Sequence, residues 1–346
     1  MSKKPKRLNN LESLHIMQKP QKVAIIGNIR AEDDYVHDTQ NADNFVETNL
    51  FYYAGKTASD KIVGGIIRVA NKPNQGQADG TILYFPGDGS ALFNFENPDI
   101  SENRNWQVAG WDLNVVKPGG FEYGAAYQGQ AFHLSVPHLL AEPKRAFKQP
   151  KVNLDLRMTH IGKSPMVEFK YNIDKMDAGM QAISDTKGLH QLTSFAGSVA
   201  LGDAPQEAIT GFGWRDHNWG PRNWQAFPKH AFYTGNFNDA NGFVLFQTEG
   251  GKGYFMHDGP ETLHQVVELD MVTDYLEDGR EPVAMRADIR LDNGAHHVVE
   301  GQKIDFIPLR NRRENMTTHL GYSLWRYQLD GGEEGFGIAE HMSQEA

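Results

Sequence analysis

Residues 151–158 read KVNLDLRM, and every second side chain in this stretch is apolar. The same alternation returns at residues 285–292, which read MRADIRLD. A period of two places one face of a β-strand against a core and the other face in water. Both stretches therefore predict half-buried strands.

Short turn signals separate such runs along the chain, among them Asn241-Gly242, Asp258-Gly259 and Asn293-Gly294. Glycine and asparagine tolerate the positive φ angles that tight hairpins require. The 35 glycines and 19 phenylalanines also fit many short strands better than long helices. We expect an all-β protein built from closed antiparallel barrels, because closure removes exposed strand edges.

A polar, glycine-bearing crossing at residues 176–190 divides the chain into two parts of domain size. With 346 residues, the chain is long enough for two sizeable cores. The sequence thus predicts an N-terminal tail at 1–30, a first barrel at 31–182 and a second barrel at 183–346.

The balance of charge limits the classes of partner. A net charge of −10 and a pI near 5.8 argue against nucleic acid or an anionic membrane surface as the main partner. The apolar run at residues 23–26 is too short for a signal peptide or a membrane span. We therefore expect a cytoplasmic protein with no integral membrane segment, and the sequence does not indicate an oligomeric state.

Signals for a metal or a cofactor are absent from the sequence. There is no cysteine, the 14 histidines are scattered, and neither a phosphate-binding loop nor a dinucleotide fingerprint is present. The sequence predicts that the protein uses no cofactor and no metal.

Residues 211–224 are the candidate functional segment. They read GFGWRDHNWGPRNW and contain three of the six tryptophans of the chain. Charged groups are costly to bury unless they are paired, whereas tryptophan is mostly buried. A segment that mixes both is typical of a pocket wall, where apolar surfaces meet a few oriented polar groups.

An extended conformation would distribute this segment over two faces. One face would hold Trp214 and Asp216, and the other would hold Arg215, His217 and Trp219. The histidine can exchange protons near neutral pH, and the aspartate could orient a histidine or pair with an arginine. An architectural interpretation stays open, because Arg–Asp pairs and tryptophans also hold the ends of barrels together.

Residues 215–224 resemble the RDHSWGxRDW signature of the carotenoid 1,2-hydratase (hydroxyneurosporene synthase) and AttH-like superfamily. Residues 47–53 and 64–74 resemble parts of its N-terminal domain, and residues 190–191 and 337–341 resemble parts of its C-terminal domain. The resemblance extends in order over residues 44–341.

This resemblance implies two tandem lipocalin-like (calycin-like) β-barrel domains. Members of the superfamily add water to isoprenoid double bonds or cyclise polyenes. The chain has Asn218 where serine is common and Asn223 where aspartate is common. These departures remove a hydroxyl and a carboxylate from the signature.

The expected function is that of a cofactor-independent hydratase (a lyase) or cyclase for a hydrophobic, isoprenoid- or polyketide-like substrate. Acid catalysis would take place in a pocket formed by the second barrel and the domain interface, with Asp216, His217 and Tyr233 as the catalytic residues. The residues expected to contact the substrate are Trp214, Trp219, Arg222 and Trp224.

Two alternatives remain at this level: a carrier for an apolar ligand without chemistry, and a structural pair of barrels that binds a protein partner. An ionisable group in a dry pocket would favour the enzyme, and purely apolar walls would favour the carrier. Two smaller features join the candidate set: Tyr52 and Tyr53 are expected to alternate between faces, and Glu340 and His341 are expected to end the last strand.

Overall fold

The computed structural model describes residues 19–39, 42–169, 186–221, 229–248, 252–313 and 316–345. Of these residues, 68% lie in β-strands and 5% in helices. The strands form two sheets with predominantly antiparallel pairing. The predicted all-β class is confirmed.

The first sheet contains the described strands of the N-terminal part of the chain. They are β1 (Ile25–Ile26), β2 (Phe45–Thr57), β3 (Ile62–Lys72), β4 (Gln77–Phe85), β5 (Ala91–Glu96), β6 (Trp106–Val108), β7 (Trp111–Lys117), β8 (Glu122–Leu134), β9 (Lys151–Gly162), β10 (Met166–Glu168), β11 (Lys187–Leu201) and β12 (Glu207–Pro221). The sheet closes on itself in the order β11-β12-β2-β3-β4-β5-β8-β9, because β9 pairs with both β8 and β11.

The second sheet is a closed barrel in which each strand pairs with the next and the last pairs with the first. Its strands are β13 (Lys229–Asn236), β14 (Asn241–Thr248), β15 (Lys252–Asp258), β16 (Thr262–Tyr275), β17 (Pro282–Leu291), β18 (His296–Arg313), β19 (Met316–Leu329) and β20 (Glu333–Glu345). This up-and-down arrangement is the lipocalin-like architecture that the sequence predicted.

The described helices are short. They comprise 3₁₀ turns at Ala31–Asp34, Pro73–Gln75 and Pro137–Ala141, and the helix α1 at Pro143–Ala146. Within the described ranges, no helix has the length and apolar character needed to cross a bilayer.

The predicted domain limits differ from the division between the sheets. Strands β11 and β12, which follow residue 186, belong to the first sheet, so the sheets divide between Pro221 and Lys229 rather than at residues 182 and 183. The segment at 215–221 is therefore part of the first barrel and not of the second. Residues 25–26, assigned to the tail, pair with β10. Strand periodicity does not reveal which partner a strand will pair with, so the sequence did not assign β11 and β12 to the first sheet.

The alternation that predicted the strands is reproduced in the burial of their side chains. In β9, Leu154, Leu156 and Met158 are buried, and in β17 the buried residues include Ala287 and Ile289. Both sets point into the interior of their barrels.

A third apolar cluster lies between the barrels. It joins Leu50 and Trp214 of the first sheet to Phe255, Tyr322 and Leu324 of the second. The outer surface of the second barrel therefore packs on the outer surface of the first. We call this contact the barrel interface.

Candidate functional site

Strand β12 contributes side chains to two different environments. Trp214 belongs to the cluster at the barrel interface. Arg215 and His217 are fully buried and make their contacts on the other face, toward the interior of the first barrel. The predicted separation of this segment onto two faces is observed, and it means that Asp216 and His217 do not act in one site.

The partner of Arg215 is Asp34, not the adjacent Asp216. Its guanidinium donates to the carboxylate and the carbonyl of Asp34, and lies 4.1 Å from the ring centre of Tyr123. Both charged side chains are completely buried. The second carboxylate oxygen of Asp34 accepts hydrogen bonds from the backbone N–H groups of Gly119 and Gly120, at 2.6 and 3.1 Å. Both glycines have a φ of 80°, a conformation that other residues rarely adopt.

A second buried carboxylate, that of Glu47, accepts from two histidines. His37 Nδ1 and His217 Nε2 lie 2.7 and 2.9 Å from Glu47 Oε1. The other oxygen accepts from the backbone N–H of His37, at 3.0 Å, and from the amide of Asn103. Trp219 stacks on the His37 ring with 3.8 Å between the ring centres. We call His37, Glu47 and His217 the inner triad.

The inner triad combines an ionised carboxylate with a neutral histidine. Burial alone would raise the pKa of Glu47, but hydrogen bonds from His217 and His37 outweigh it and hold the pKa at about 2. Burial lowers the pKa of His217, even though Glu47 opposes this shift. At neutral pH, His217 therefore donates its Nε2 proton to Glu47, and among the described residues its Nδ1 has no hydrogen-bond partner.

The pKa of Glu47 predicts sensitivity to acid. A carboxyl group whose pKa is lowered by folding stabilises the protein above its unfolded pKa, and this contribution is lost as the pH falls through the folded value. We expect the wild type to lose stability relative to Glu47→Gln between about pH 4.5 and pH 2. Urea unfolding across this range measures the difference. The exposed Glu277 gives the control variant Glu277→Gln, and equal pH profiles for all three proteins would contradict the assignment.

The outward face of β12 contributes Trp214 and Asp216 to the barrel interface. Asp216 accepts from the amide of Asn218, and its Oδ1 lies 3.2 Å from Nε2 of His190 on β11. The ring of His190 lies 4.5 Å from the Trp214 ring, and Trp214 lies 5.7 Å from Phe232 of the second barrel. An acid–base pair is thus placed beside aromatic side chains of both barrels.

The second barrel presents its own carboxylate to this interface. Glu340 on β20 accepts a hydrogen bond from the hydroxyl of Tyr52 on β2, at 3.0 Å, and its other oxygen lies 2.8 Å from Nε2 of His230 on β13. Burial alone would raise the pKa of Glu340, but hydrogen bonds from His230, Tyr322 and Tyr52 hold the pKa below its usual value. Its side chain remains 19% exposed. We call Glu340, His230, Tyr52 and Tyr322 the interface cluster.

Glu340 and Asp216, the two carboxylates at the interface, lie close enough to affect the pKa of the same two tyrosines. Burial raises the pKa of Tyr52 and Tyr322 well above 10, and Glu340 and Asp216 raise both further. The rings of these tyrosines lie 6.2 Å apart. Neutral phenols, which can donate hydrogen bonds, are thus held close to two carboxylate–histidine pairs.

Tyr233, expected to relay protons with Asp216 and His217, lies elsewhere. It is fully buried in the core of the second barrel, where its hydroxyl is 2.8 Å from Thr273 Oγ1 and 2.9 Å from His341 Nε2. Burial raises the pKa of its phenol. The structure therefore distributes the three predicted catalytic residues over three places: Asp216 at the interface, His217 in the first barrel and Tyr233 in the second.

The predicted substrate-binding residues also separate. Trp214 lies at the interface, whereas Trp219 packs against His37 inside the first barrel. Arg222 and Trp224 lie outside the described residues.

Sequence reasoning singled out Tyr52 and Glu340 only as isolated features and missed His230, His37 and Asp34. No motif marks these three residues, because each acquires its partner only in the folded barrels.

The fold and the interface together define a two-barrel, lipocalin-like protein with ionisable groups between the barrels. A structure of an AttH-like protein from Nitrosomonas europaea is similar, with a TM-score of 0.60, 14% identity, and coverage of 92% of this chain and 99% of that one. Kievitone hydratase from Nectria haematococca is similar with a TM-score of 0.55, 8% identity, and coverage of 94% and 97%. At these identities, the likeness shows a shared fold.

The chain belongs to the family of the domain of unknown function DUF7064, whose model matches residues 30–345. No curated protein matches the sequence.

Proposed function

We propose that this protein is a cofactor-independent enzyme that hydrates or cyclises an apolar, unsaturated substrate of isoprenoid- or polyketide-like structure at the barrel interface. The observation on which the proposal rests is Glu340. Its ionised carboxylate is held by a histidine and a tyrosine from different barrels and lies among aromatic side chains.

The interface cluster supplies a base and hydrogen-bond donors. Glu340 can accept a proton from an attacking water or from an acidic carbon, since hydrogen bonds keep it ionised. Tyr52 and Tyr322 remain protonated, and their hydroxyl groups donate hydrogen bonds that orient the carboxylate of Glu340.

Hydration of a double bond also needs a proton for the second carbon. The pair of Asp216 and His190 lies on the wall formed by the first barrel and contains groups that can return this proton. Trp214 and Phe232 would stabilise positive charge on the substrate through their ring faces and would exclude water.

The fold supports this chemistry by analogy, since one protein with a similar fold is a kievitone hydratase. The residues around the interface cluster also support a hydrophobic substrate. They are largely apolar and include Leu50, Phe255, Leu324 and Ile338, which are buried at the interface.

A carrier for an apolar ligand is the second candidate, and it is favoured by these same apolar walls. The two candidates differ in one result, product formation. Purified protein is incubated with linear isoprenoids, carotenoid-type polyenes and unsaturated polyketides, and products are analysed by mass spectrometry. The enzyme gives either a product heavier by one water or an isomer with altered absorbance. A carrier binds without forming either.

Ligand binding should depend on one face of β12. With cis-parinaric acid as a fluorescent probe, we expect Trp214→Phe to bind roughly 5- to 10-fold more weakly, because the smaller ring makes less aromatic contact at the interface. Trp219→Phe, on the same strand but facing the interior, should stay within about 2-fold of wild type, since distant sites act independently. Equal affinities of the two variants for the probe would show that the ligand does not bind at the barrel interface.

A further inference from the structure

The inner triad brings three metal-ligand atoms together in the first barrel. One ligand atom from each of His37, Glu47 and His217 lies within 4.8 Å of the other two. Glu47 and His217 are completely buried, and His37 is 21% exposed. The three residues come from the segment before β2, from β2 itself and from β12, so only the closed barrel assembles them.

We infer that His37, Glu47 and His217 form a binding site for a divalent transition-metal ion of the Zn²⁺ class. Two imidazoles and one carboxylate make up a ligand set that zinc accepts, with a fourth position left for water. Zinc bonds of about 2.0–2.1 Å place tetrahedral ligand atoms roughly 3.3 Å apart. The separations of 2.7 and 2.9 Å from Glu47 Oε1 would widen by about half an ångström to reach this distance, and the two histidine nitrogens already lie within 4.8 Å of each other.

His37 and Glu47 of the triad have groups beside them that can act as outer-shell partners. His37 Nε2 lies 3.4 Å from Asp33 Oδ1, so a His37 that binds metal through Nδ1 can donate its remaining N–H to a carboxylate. The amide of Asn103 and the backbone N–H of His37 hold Oε2 of Glu47, which leaves Oε1 directed at both histidines.

Aromatic rings exclude water around the triad. Trp219 stacks on His37 at 3.8 Å, and the Trp106 ring meets His217 edge-on with 4.8 Å between centres. An ion would reach the triad from solvent on the side where His37 is partly exposed.

A bound ion would tie the segment around His37 to β2 and β12. This site faces the interior of the first barrel, whereas Glu340 and Asp216 lie at the barrel interface. The inference is therefore independent of the proposed reaction, and it revises the expectation of a metal-free protein for this part of the chain.

Titration of the full-length, metal-stripped protein with Zn²⁺ by calorimetry tests the inference. We expect one ion per chain, and Co²⁺ in its place should give the intense visible bands of a tetrahedral site. His37→Gln and Glu47→Gln should each weaken binding by more than roughly 100-fold, the upper end for loss of an outer-shell partner, and Asp33→Asn by about 10- to 100-fold. Zn²⁺ should also raise the Tm of the wild type but not that of His37→Gln.

The matched control is His230→Gln, which removes a histidine paired with a glutamate in the other barrel and should leave Zn²⁺ binding unchanged. Circular dichroism confirms that each variant is folded. Because His37 is partly exposed, His37→Gln should disturb the fold less than a substitution of Glu47 or His217. Absence of stoichiometric binding to the wild type, or equal affinity in wild type and His37→Gln, would overturn the inference.

Discussion

Replacing Glu340 with glutamine is expected to lower turnover at least about 100-fold, the usual scale for loss of a general acid or base. Glutamine keeps the size and can still accept one of the two hydrogen bonds, from Tyr52 or from His230, but it cannot take up a proton at the same site. Affinity for the apolar substrate should remain within about 3-fold, since binding comes from the aromatic walls. Single-turnover and steady-state assays with a substrate from the product screen separate the two effects.

The matched control is Glu281→Gln. Glu281 is also hydrogen-bonded to a histidine, with His138 Nε2 at 2.6 Å, and to Lys303, but it is not part of the interface cluster. This variant should keep wild-type turnover. If Glu340→Gln and Glu281→Gln have the same activity, Glu340 is not the base.

Replacing Asp34 with alanine is expected to destabilise the protein by about 3–5 kcal/mol, because it leaves the buried Arg215 charge without a partner. The N–H groups of Gly119 and Gly120 lose their side-chain acceptor in the same variant. Urea unfolding followed by tryptophan fluorescence measures the loss.

A surface ion pair provides the comparison. Arg145 and Glu142 are 2.9 Å apart with side chains 63% and 55% exposed, so Glu142→Ala should cost less than about 1 kcal/mol. Adding Arg215→Met to Asp34→Ala should recover part of the stability, since the unpaired charge is then gone. A loss below about 1 kcal/mol for Asp34→Ala would show that Arg215 is not an essential buried charge.

The fold class could be read from the sequence because its signals are local. The alternation at residues 151–158 and 285–292 is complete within eight residues, and the structure buries the apolar side chains of both stretches except Val152, which is partly buried. The same reasoning correctly separated Trp214 from Arg215 and His217, because the two faces of a strand follow from its geometry alone.

The candidate site was only partly predictable. The segment at 211–224 drew attention to Asp216, which lies at the interface, whereas His217 and Trp219 of the same segment make their contacts with Glu47 and His37 in the first barrel. Composition shows that a stretch is unusual, yet it does not show which neighbours each side chain will meet. Tyr233 illustrates this, since its hydroxyl is engaged inside the second barrel.

By itself, the sequence determined that the chain forms antiparallel strands closed into two barrels, and that β12 divides its side chains between two faces. Only the tertiary structure decided that β11 and β12 complete the first barrel, that Arg215 pairs with Asp34, and that Glu340 meets Tyr52 across 288 residues of chain. The physical reason is distance along the chain. Strand periodicity and turn chemistry act between near neighbours, whereas barrel closure and the pairing of buried charges depend on which distant strands come together.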